Sequence, residues 1–396
     1  MRSTNYCLQK VGRARDDDTV VERTARKATM RPLWLRKIKQ IPSIMAQKKT
    51  YRIRILSVIS VIICVFLYVF FYFLADTYVV DSQYLDAVDQ SVLENRLDFH
   101  EVAIAKICSD KTAICYGVYD RKVTEDEHNE VVERHLLMDG FYDESDSAIR
   151  LIPPKGESFD SSDTRIWGFD HSDVRSNYVA GMLVGPFLFS SLSLDQKSDV
   201  GKNVLEIGLG GGSFSMALHK LKPDIEITVV ELDPTVVKIA QEWFGVKDSR
   251  NHRIIVDDGL NFLEKAHSKG LKFDVVVLDA CDTTMKSVCP AKSFRNTETL
   301  KRIKEILKTM GSLIVNILSN DQEGSGSSTR EVIQLFTSIF PACSEMRFPN
   351  EVNVILTCVP YSISNIREQI GFYNTKLNSV ISQLKLDNIL KHIVLV

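Results

Sequence analysis

The sequence predicts an α/β protein: a doubly wound, mainly parallel sheet closed by a terminal antiparallel hairpin, preceded by a small β-rich subdomain and a single transmembrane helix. Three observations carry this prediction. Apolar strands alternate with helical patterns from Asn203 to about residue 340. A turn with four glycines in five positions follows the first of those strands. Twenty-one residues, Ile55 to Ala75, contain no charge, proline or glycine.

With 396 residues, 44% of them hydrophobic and 25% charged, the chain can bury a sizeable core and fits one large domain with appendages. The net charge of −2 conceals an asymmetry. Residues 1–54 hold 15 Lys and Arg against 4 Asp and Glu, which leaves 34 against 47 for the rest. The division falls at "ILSVISVIICVFLYVFFYFLA", whose 21 residues reach about 32 Å as a helix, enough to cross a hydrocarbon core of about 30 Å. Lys48, Lys49, Arg52 and Arg54 precede it, whereas Asp76, Asp81, Asp86, Asp89 and Glu94 follow without a nearby Lys or Arg. The positive-inside bias then predicts a single-pass type II membrane protein, with residues 1–54 as a basic, mostly disordered cytoplasmic tail and the C-terminal domain lumenal or extracellular. Because topology already explains the basic tail, no nucleic-acid partner is expected. The expected contact there is the lipid bilayer, through Ile55–Ala75.

Six of the eight cysteines lie beyond the span. Their short separations point to Cys108 with Cys115, Cys281 with Cys289 and Cys343 with Cys358, as an oxidising compartment allows. Six reduced cysteines serving as small apolar side chains fit the sequence equally well. No Cys/His spacing of the structural zinc type occurs, so no metal is expected. The absence of any N-x-[ST] sequon counts against an extracytoplasmic domain.

Residues 76–100 read as a membrane-proximal stalk, and 101–160 as a small antiparallel β-rich subdomain carrying "EVAIAKI", "AICYGVYD" and "SAIRLIP". In the main domain, 161–396, "NYVAGMLVGPFLFSSL" predicts a helix entering the core. Strands "NVLEIGL", "IEITVVEL", "HRIIVDD", "FDVVVLDA" and "SLIVNIL" then alternate with helices from Ser213, from Pro234, near Leu260, over about 296–309 and over about 329–340. "CSEMRF" and "NVILTCV", joined by "PNE", form the closing hairpin.

The acidic residues at the strand ends define the candidate site. Glu206, Gly208, Gly210, Gly211 and Gly212 stand between the first strand and a helix whose apolar positions Phe214, Ala217, Leu218 and Leu221 recur with helical spacing. Such a turn brings backbone N–H groups at a helix N-terminus to a ligand, although plain chain reversal uses glycines too. Glu231 ends the second strand, 19 residues past Gly212, where a carboxylate can hold both ribose hydroxyls. Asp233 and Pro234 read as the N-cap and first position of the next helix. Asp257 and Asp258 end the third strand, within reach of an adenine amine, or simply terminate it. Asp279 and Asp282, in "DACD", lie where open α/β sheets bind ligands. They can orient or deprotonate an amine nucleophile, and capping the following loop is their competing role.

"GLGGGS", "VELDPTVVKIAQEWFG", "VDDGLNFL", "CPAKSF" and "NEVNVILTC" resemble the spermidine-synthase-like branch of class I S-adenosylmethionine-dependent methyltransferases, and within it the C-terminal domain of the elongation factor one-alpha N-terminal methyltransferases. The resemblance covers about residues 118–360. It implies a Rossmann-like class I methyltransferase fold, S-adenosylmethionine as cofactor and transfer of a methyl group to an amine of a protein or small molecule. Gly208, Gly210 and Gly212 would cradle the methionine part, with Glu206 beside them. Glu231 would hold the ribose, Asp257 and Asp258 would serve the adenine, and Asp279 with Asp282 would position the acceptor. A polyamine aminopropyltransferase is the alternative. Its GGGDGG loop lacks an aspartate here, with Ser213 at that place, and its DSSDP signature is reduced to "DACDT". A non-catalytic binding module is the third reading, and a homodimer is left open. The resembling enzymes act on a cytosolic factor, which conflicts with a lumenal domain: either the acceptor differs or the orientation does.

Overall fold

The computed structural model describes residues 101–126, 129–139, 147–282, 289–318, 327–349, 351–364, 366–391 and 393–395. The expected tail, the apolar span Ile55–Ala75 and the stalk lie outside them. Among the described residues, no helix is long and apolar enough to cross a membrane.

The N-terminal part is a five-stranded antiparallel sheet in the order β1 (Glu101–Cys108), β2 (Cys115–Asp126), β3 (Asn129–Met138), β4 (Ser147–Ile152), β5 (Gly168–Val174). It runs on past residue 160, because β5 pairs with β4. Cys108 and Cys115 face each other in register across β1 and β2 and form a disulfide. A fully buried ion pair ties this sheet to the larger one. Arg134 on β3 donates from Nε and Nη2 to the two carboxylate oxygens of Asp120 on β2, at 2.7 and 2.8 Å. Its guanidinium also donates to the carbonyls of Thr164 and Trp243 and packs on the Trp243 and Phe169 rings. With every face of the guanidinium used, removing either partner costs roughly 3–5 kcal/mol, since it strands the other charge.

The C-terminal part is an eight-stranded mixed sheet, and its elements follow the predicted alternation. In chain order they are α1 (Asn177–Leu188), β6 (Asn203–Ile207), α2 (Ser213–Leu221), β7 (Glu226–Glu231), α3 (Pro234–Trp243), β8 (His252–Val256), α4 (Gly259–Ser268), β9 (Phe273–Leu278), α5 (Thr297–Ile306), β10 (Leu307–Ile317), α6 (Ser327–Ile339), β11 (Ala342–Arg347), β12 (Val354–Val359), α7 (Ile366–Gln383) and β13 (Val394–Leu395). The strand order is β13-β11-β12-β10-β9-β6-β7-β8. Strands β8, β7, β6, β9 and β10 are parallel, whereas β12, β11 and β13 are antiparallel. The predicted hairpin is β11–β12, stapled by Cys343–Cys358. The short β13 then covers its outer edge, and neither β13 nor α7 was expected.

The double winding is visible in single strands. On β9, Val275 and Val277 pack into one apolar layer with α1, α2, α3 and α7, while Val276 and Leu278 enter the other with α4, α5 and α6. A strand covered on both faces has no polar side, which is why "VVVL", Val275 to Leu278, reads as an uninterrupted apolar run. Asp233 caps α3 by accepting from the Thr235 N–H at 2.9 Å, with Pro234 at the first helical position, as the sequence predicts.

Candidate active site

Strand β6 delivers the chain into the glycine turn, between β7 and β9. Gly208 has φ +98°, and a Cβ there would stand 2.5 Å from the Asp279 carbonyl oxygen. Only glycine lets β6 leave the sheet in that direction and that close to β9. Gly210 and Gly212 also take left-handed φ values, +51° and +75°, and Gly212 caps α2. The Gly211 N–H is occupied, donating to the Ser147 hydroxyl on β4 at 2.8 Å. Among the described residues the Gly210 N–H has no such partner, and it stands with the open first-turn N–H groups of α2. Counted from Gly208, the fourth position of the turn is Gly211. That residue, rather than Ser213, stands where aminopropyltransferases carry aspartate; the conclusion that the turn lacks a carboxylate is unchanged. Gly208→Ala should destabilise the fold by more than about 2 kcal/mol. Gly156→Ala, where φ is +87° but nothing lies within 4 Å, isolates the cost of the dihedral alone. Equal denaturation midpoints for the two variants would remove the close-approach argument.

Three carboxyl groups surround this turn, Glu206 and Glu231 buried and Asp279 half-buried. Glu206 lies in register between Val229 of β7 and Val277 of β9, and Glu231 and Asp279 stand one residue beyond the partners of Ile207 on either side. The Glu231 carboxylate points at the turn: Oε2 accepts from the Leu209 N–H at 2.9 Å and Oε1 from the Asp233 N–H at 2.8 Å. Burial pushes Glu231 above the usual carboxylate range, and these N–H groups oppose it. Glu206 is pushed well above that range by burial first and then by the charge of Asp279, with the Ser215 hydroxyl working the other way. Its Oε2 is buried without a hydrogen-bond partner. Burial raises Asp279 to about 7, against the opposing hydrogen bond from Asn316. Among the described residues, no Lys, Arg or His pairs with any of the three.

The remaining predicted acids are bonded locally. Asp258 is the N-cap of α4, its Oδ1 accepting from the Leu260 N–H at 2.8 Å. Its Oδ2 has no partner among the described residues. Asp257 accepts from the Asp258 N–H and pairs with Lys265 at 2.6 Å, which holds its carboxyl below the usual range. Asp282 accepts from the Lys292 N–H at 2.7 Å, next to the Cys281–Cys289 disulfide. For Asp257, Asp258 and Asp282 the competing structural roles are thus realised, and among the described residues Asp258 and Asp282 each keep one carboxylate oxygen without a partner.

Several residues at the site were not anticipated. The disulfide-closed tip between β1 and β2 reaches the Glu231 segment, with Lys111 Nζ donating to the Leu232 carbonyl at 2.6 Å and the Thr112 hydroxyl to Asp233 at 3.0 Å. Asn316 on β10 donates to Asp279. Its signal in the sequence is the one amide within the apolar run "LIVNIL".

A second hollow, of about 820 Å³, opens at the opposite ends of β9 and β10, where Lys272, Lys301, Lys304 and Lys308 gather. Three of those lysines have structural work. Lys272 and Lys304 donate to the carbonyls of Glu305 and Ile339 at helix C-termini, and Lys308 pairs with Asp274. The full length of β9 separates this hollow from Asp279, so the chemistry belongs to the glycine-turn end.

Comparison with known proteins finds the following similarities. The spermine/spermidine synthase domain family matches residues 192–375, just under half of the chain. The eEF1A lysine and N-terminal methyltransferase homolog of Drosophila melanogaster is 28% identical over 280 residues, covering 67% of this chain and 39% of that protein. The polyamine aminopropyltransferase of Vibrio vulnificus (strain CMCP6) is 30% identical over 150 residues, 38% of this chain and 47% of that protein. Among solved structures, human methyltransferase-like protein 13 in complex with SAH aligns at 24% identity over 52% of this chain and 89% of that chain, with a TM-score of 0.42. The chain spans about two fifths of the length of the Drosophila relative, at 39%. Residues 192–375 are thus similar to a spermine/spermidine synthase domain, and the fold that carries them is α/β with a mixed eight-stranded sheet.

Proposed function

We propose that this domain is an S-adenosylmethionine-dependent methyltransferase acting on an amine. One observation carries the reading: Glu206 and Glu231 are buried, Asp279 lies half-buried beside them, and among the described residues no cationic side chain pairs with any of the three. Buried carboxylates without a counter-charge are costly, and a cationic ligand relieves that cost. The residues fit this cofactor. Glu231 lies against the glycine turn for the ribose hydroxyls, Gly210 offers an open N–H for the methionine part, and the free oxygen of Asp258 suits the adenine amine. When bound, S-adenosylmethionine supplies an electrophilic methyl group on a cationic sulfur. The protein's own part is to fix the approach of the acceptor, and Asp279, titrating near 7, is the group suited to take its proton.

A calorimetric titration of the full chain with S-adenosylmethionine and with its decarboxylated form tests this reading. The former should bind more tightly, because the turn has Gly211 where aminopropyltransferases hold the donor through aspartate. Preference for the decarboxylated form would favour polyamine synthesis, the reading closer to the matched domain family. The pH dependence has a definite sign. A cation binds the ionised carboxylates, so binding releases protons, and affinity should fall by up to about tenfold per pH unit as Asp279 protonates below about pH 7. A flat profile from about pH 7.5 to 5.5 contradicts the counter-charge argument.

The domain is proposed to work on the lumenal or extracellular side of a membrane, anchored through Ile55–Ala75. Support comes from the charge asymmetry around that span and from three disulfides among the described residues, which need an oxidising compartment. The acceptor is then an amine in that compartment, distinct from the translation factor named for the relatives. Alkylating the chain directly from the cells that make it, before any reduction, should leave Cys108, Cys115, Cys281, Cys289, Cys343 and Cys358 unmodified. Free alkylation of these six would place the domain in a reducing compartment.

A further inference from the structure

Asn316 is 3% exposed, in a strand whose last six residues, Ser312–Ile317, are all buried. An apolar side chain would fill that position at lower cost, because a buried amide must find partners for both its donor and its acceptor. Both are found here. Asn316 Nδ2 donates to Asp279 Oδ1 at 2.8 Å, and Asn316 Oδ1 accepts from Asn353 Nδ2 at 2.9 Å. Asn353 directly precedes β12, in the hairpin that Cys343–Cys358 staples. The three side chains form a chain of directed bonds from the hairpin to the carboxylate.

We propose that Asn316 and Asn353 are positioning residues for Asp279. Asn353 fixes which end of the Asn316 amide faces Asp279, and Asn316 then occupies Oδ1, leaving Oδ2 to receive the proton as an acceptor N–H bond breaks and an O–H bond forms. A neutral donor suits the task better than a lysine or arginine, which would hold the carboxylate ionised and weaken it as a base. The other groups around Asp279 do not substitute for the amide. Glu206 on β6 is itself pushed well above the usual carboxylate range, the Gly208 main chain lies against the Asp279 carbonyl, and Asp282 is engaged with the Lys292 N–H.

This inference rests on the methyltransferase reading for its chemistry, but its geometry can be tested separately. The titration midpoint of Asp279 is read by carboxyl-carbon NMR in the ligand-free full chain labelled at aspartate. Asn316→Leu should raise that midpoint by about one pH unit through loss of a hydrogen bond to the ionised form. Asn353→Ala should raise it by less, and the double variant should go no further than Asn316→Leu alone, because Asn353 acts only through Asn316. A merely structural role would lower the melting temperature of each variant and leave the midpoint in place, which overturns the proposal. If Asn316→Leu does not fold, Asn353→Ala decides by the same criterion. A shifted midpoint in a protein that transfers no methyl group would uphold the relay and reject the enzymatic reading. An unshifted midpoint with wild-type methyl transfer would do the reverse.

Discussion

Glu231→Gln should both destabilise the domain and reduce its affinity for S-adenosylmethionine by about a hundredfold, or roughly 2.7 kcal/mol. The reason lies in the count of acceptors. The two carboxylate oxygens each receive one buried backbone N–H, from Leu209 and from Asp233. A glutamine side chain offers one oxygen and an NH₂ group, so one of those N–H groups must face another donor. Leaving a buried N–H unpaired costs about 1–3 kcal/mol, and the distortion falls on the glycine turn itself. Denaturation curves and titrations measured side by side check the expectation. A variant within about 0.5 kcal/mol of the parent that also binds normally would show that Glu231 does not organise the site.

Asp279→Asn should separate activity from stability. The substituted amide can still present an oxygen to Asn316 Nδ2, so the contact now measuring 2.8 Å is retained, but the group can no longer accept a proton. Loss of a general base lowers turnover by about 10²–10⁴. The stability effect has the opposite sign. A carboxyl whose folded value is raised above its ordinary one destabilises the folded state once the pH exceeds that ordinary value, and the penalty is complete above about 7, where Asp279 titrates. The asparagine variant should therefore be no less stable than the parent at about pH 8. Turnover within about threefold of the parent would remove Asp279 from the chemistry.

Much of this arrangement was legible in the sequence because strand periodicity and turn chemistry are local. The parallel strands appear as apolar runs, the αL positions of the turn as glycines, and the cap of α3 as Asp233-Pro234. The three disulfides agree with pairing by short separation, since two of them join register partners on adjacent strands, β1–β2 and β11–β12. What was not legible depends on contacts between distant segments. Asp120 and Arg134 read as ordinary strand polar residues until the fold buries them together. Ser147 and Thr112 acquire meaning only when β4 and the β1–β2 tip reach the glycine turn and the end of β7. Asp257, Asp258 and Asp282 look equivalent to Glu231 as acids at strand ends, yet each bonds to groups near it in the chain, whereas Glu231 is turned inward to the Leu209 N–H. Helix α7 was within reach of the sequence. Leu377, Val380 and Ile381 lie on its buried side, a spacing that predicts a helix.

The central claim is that a cationic nucleoside ligand lies between the glycine turn and the uncompensated carboxylates. Ultraviolet cross-linking of tritiated S-adenosylmethionine to the full chain, followed by peptide mapping, tests it most directly. The label should fall within residues 203–232 or 257–282, and excess unlabelled SAH should displace it. Label confined to other segments, or no displaceable label, would contradict the account.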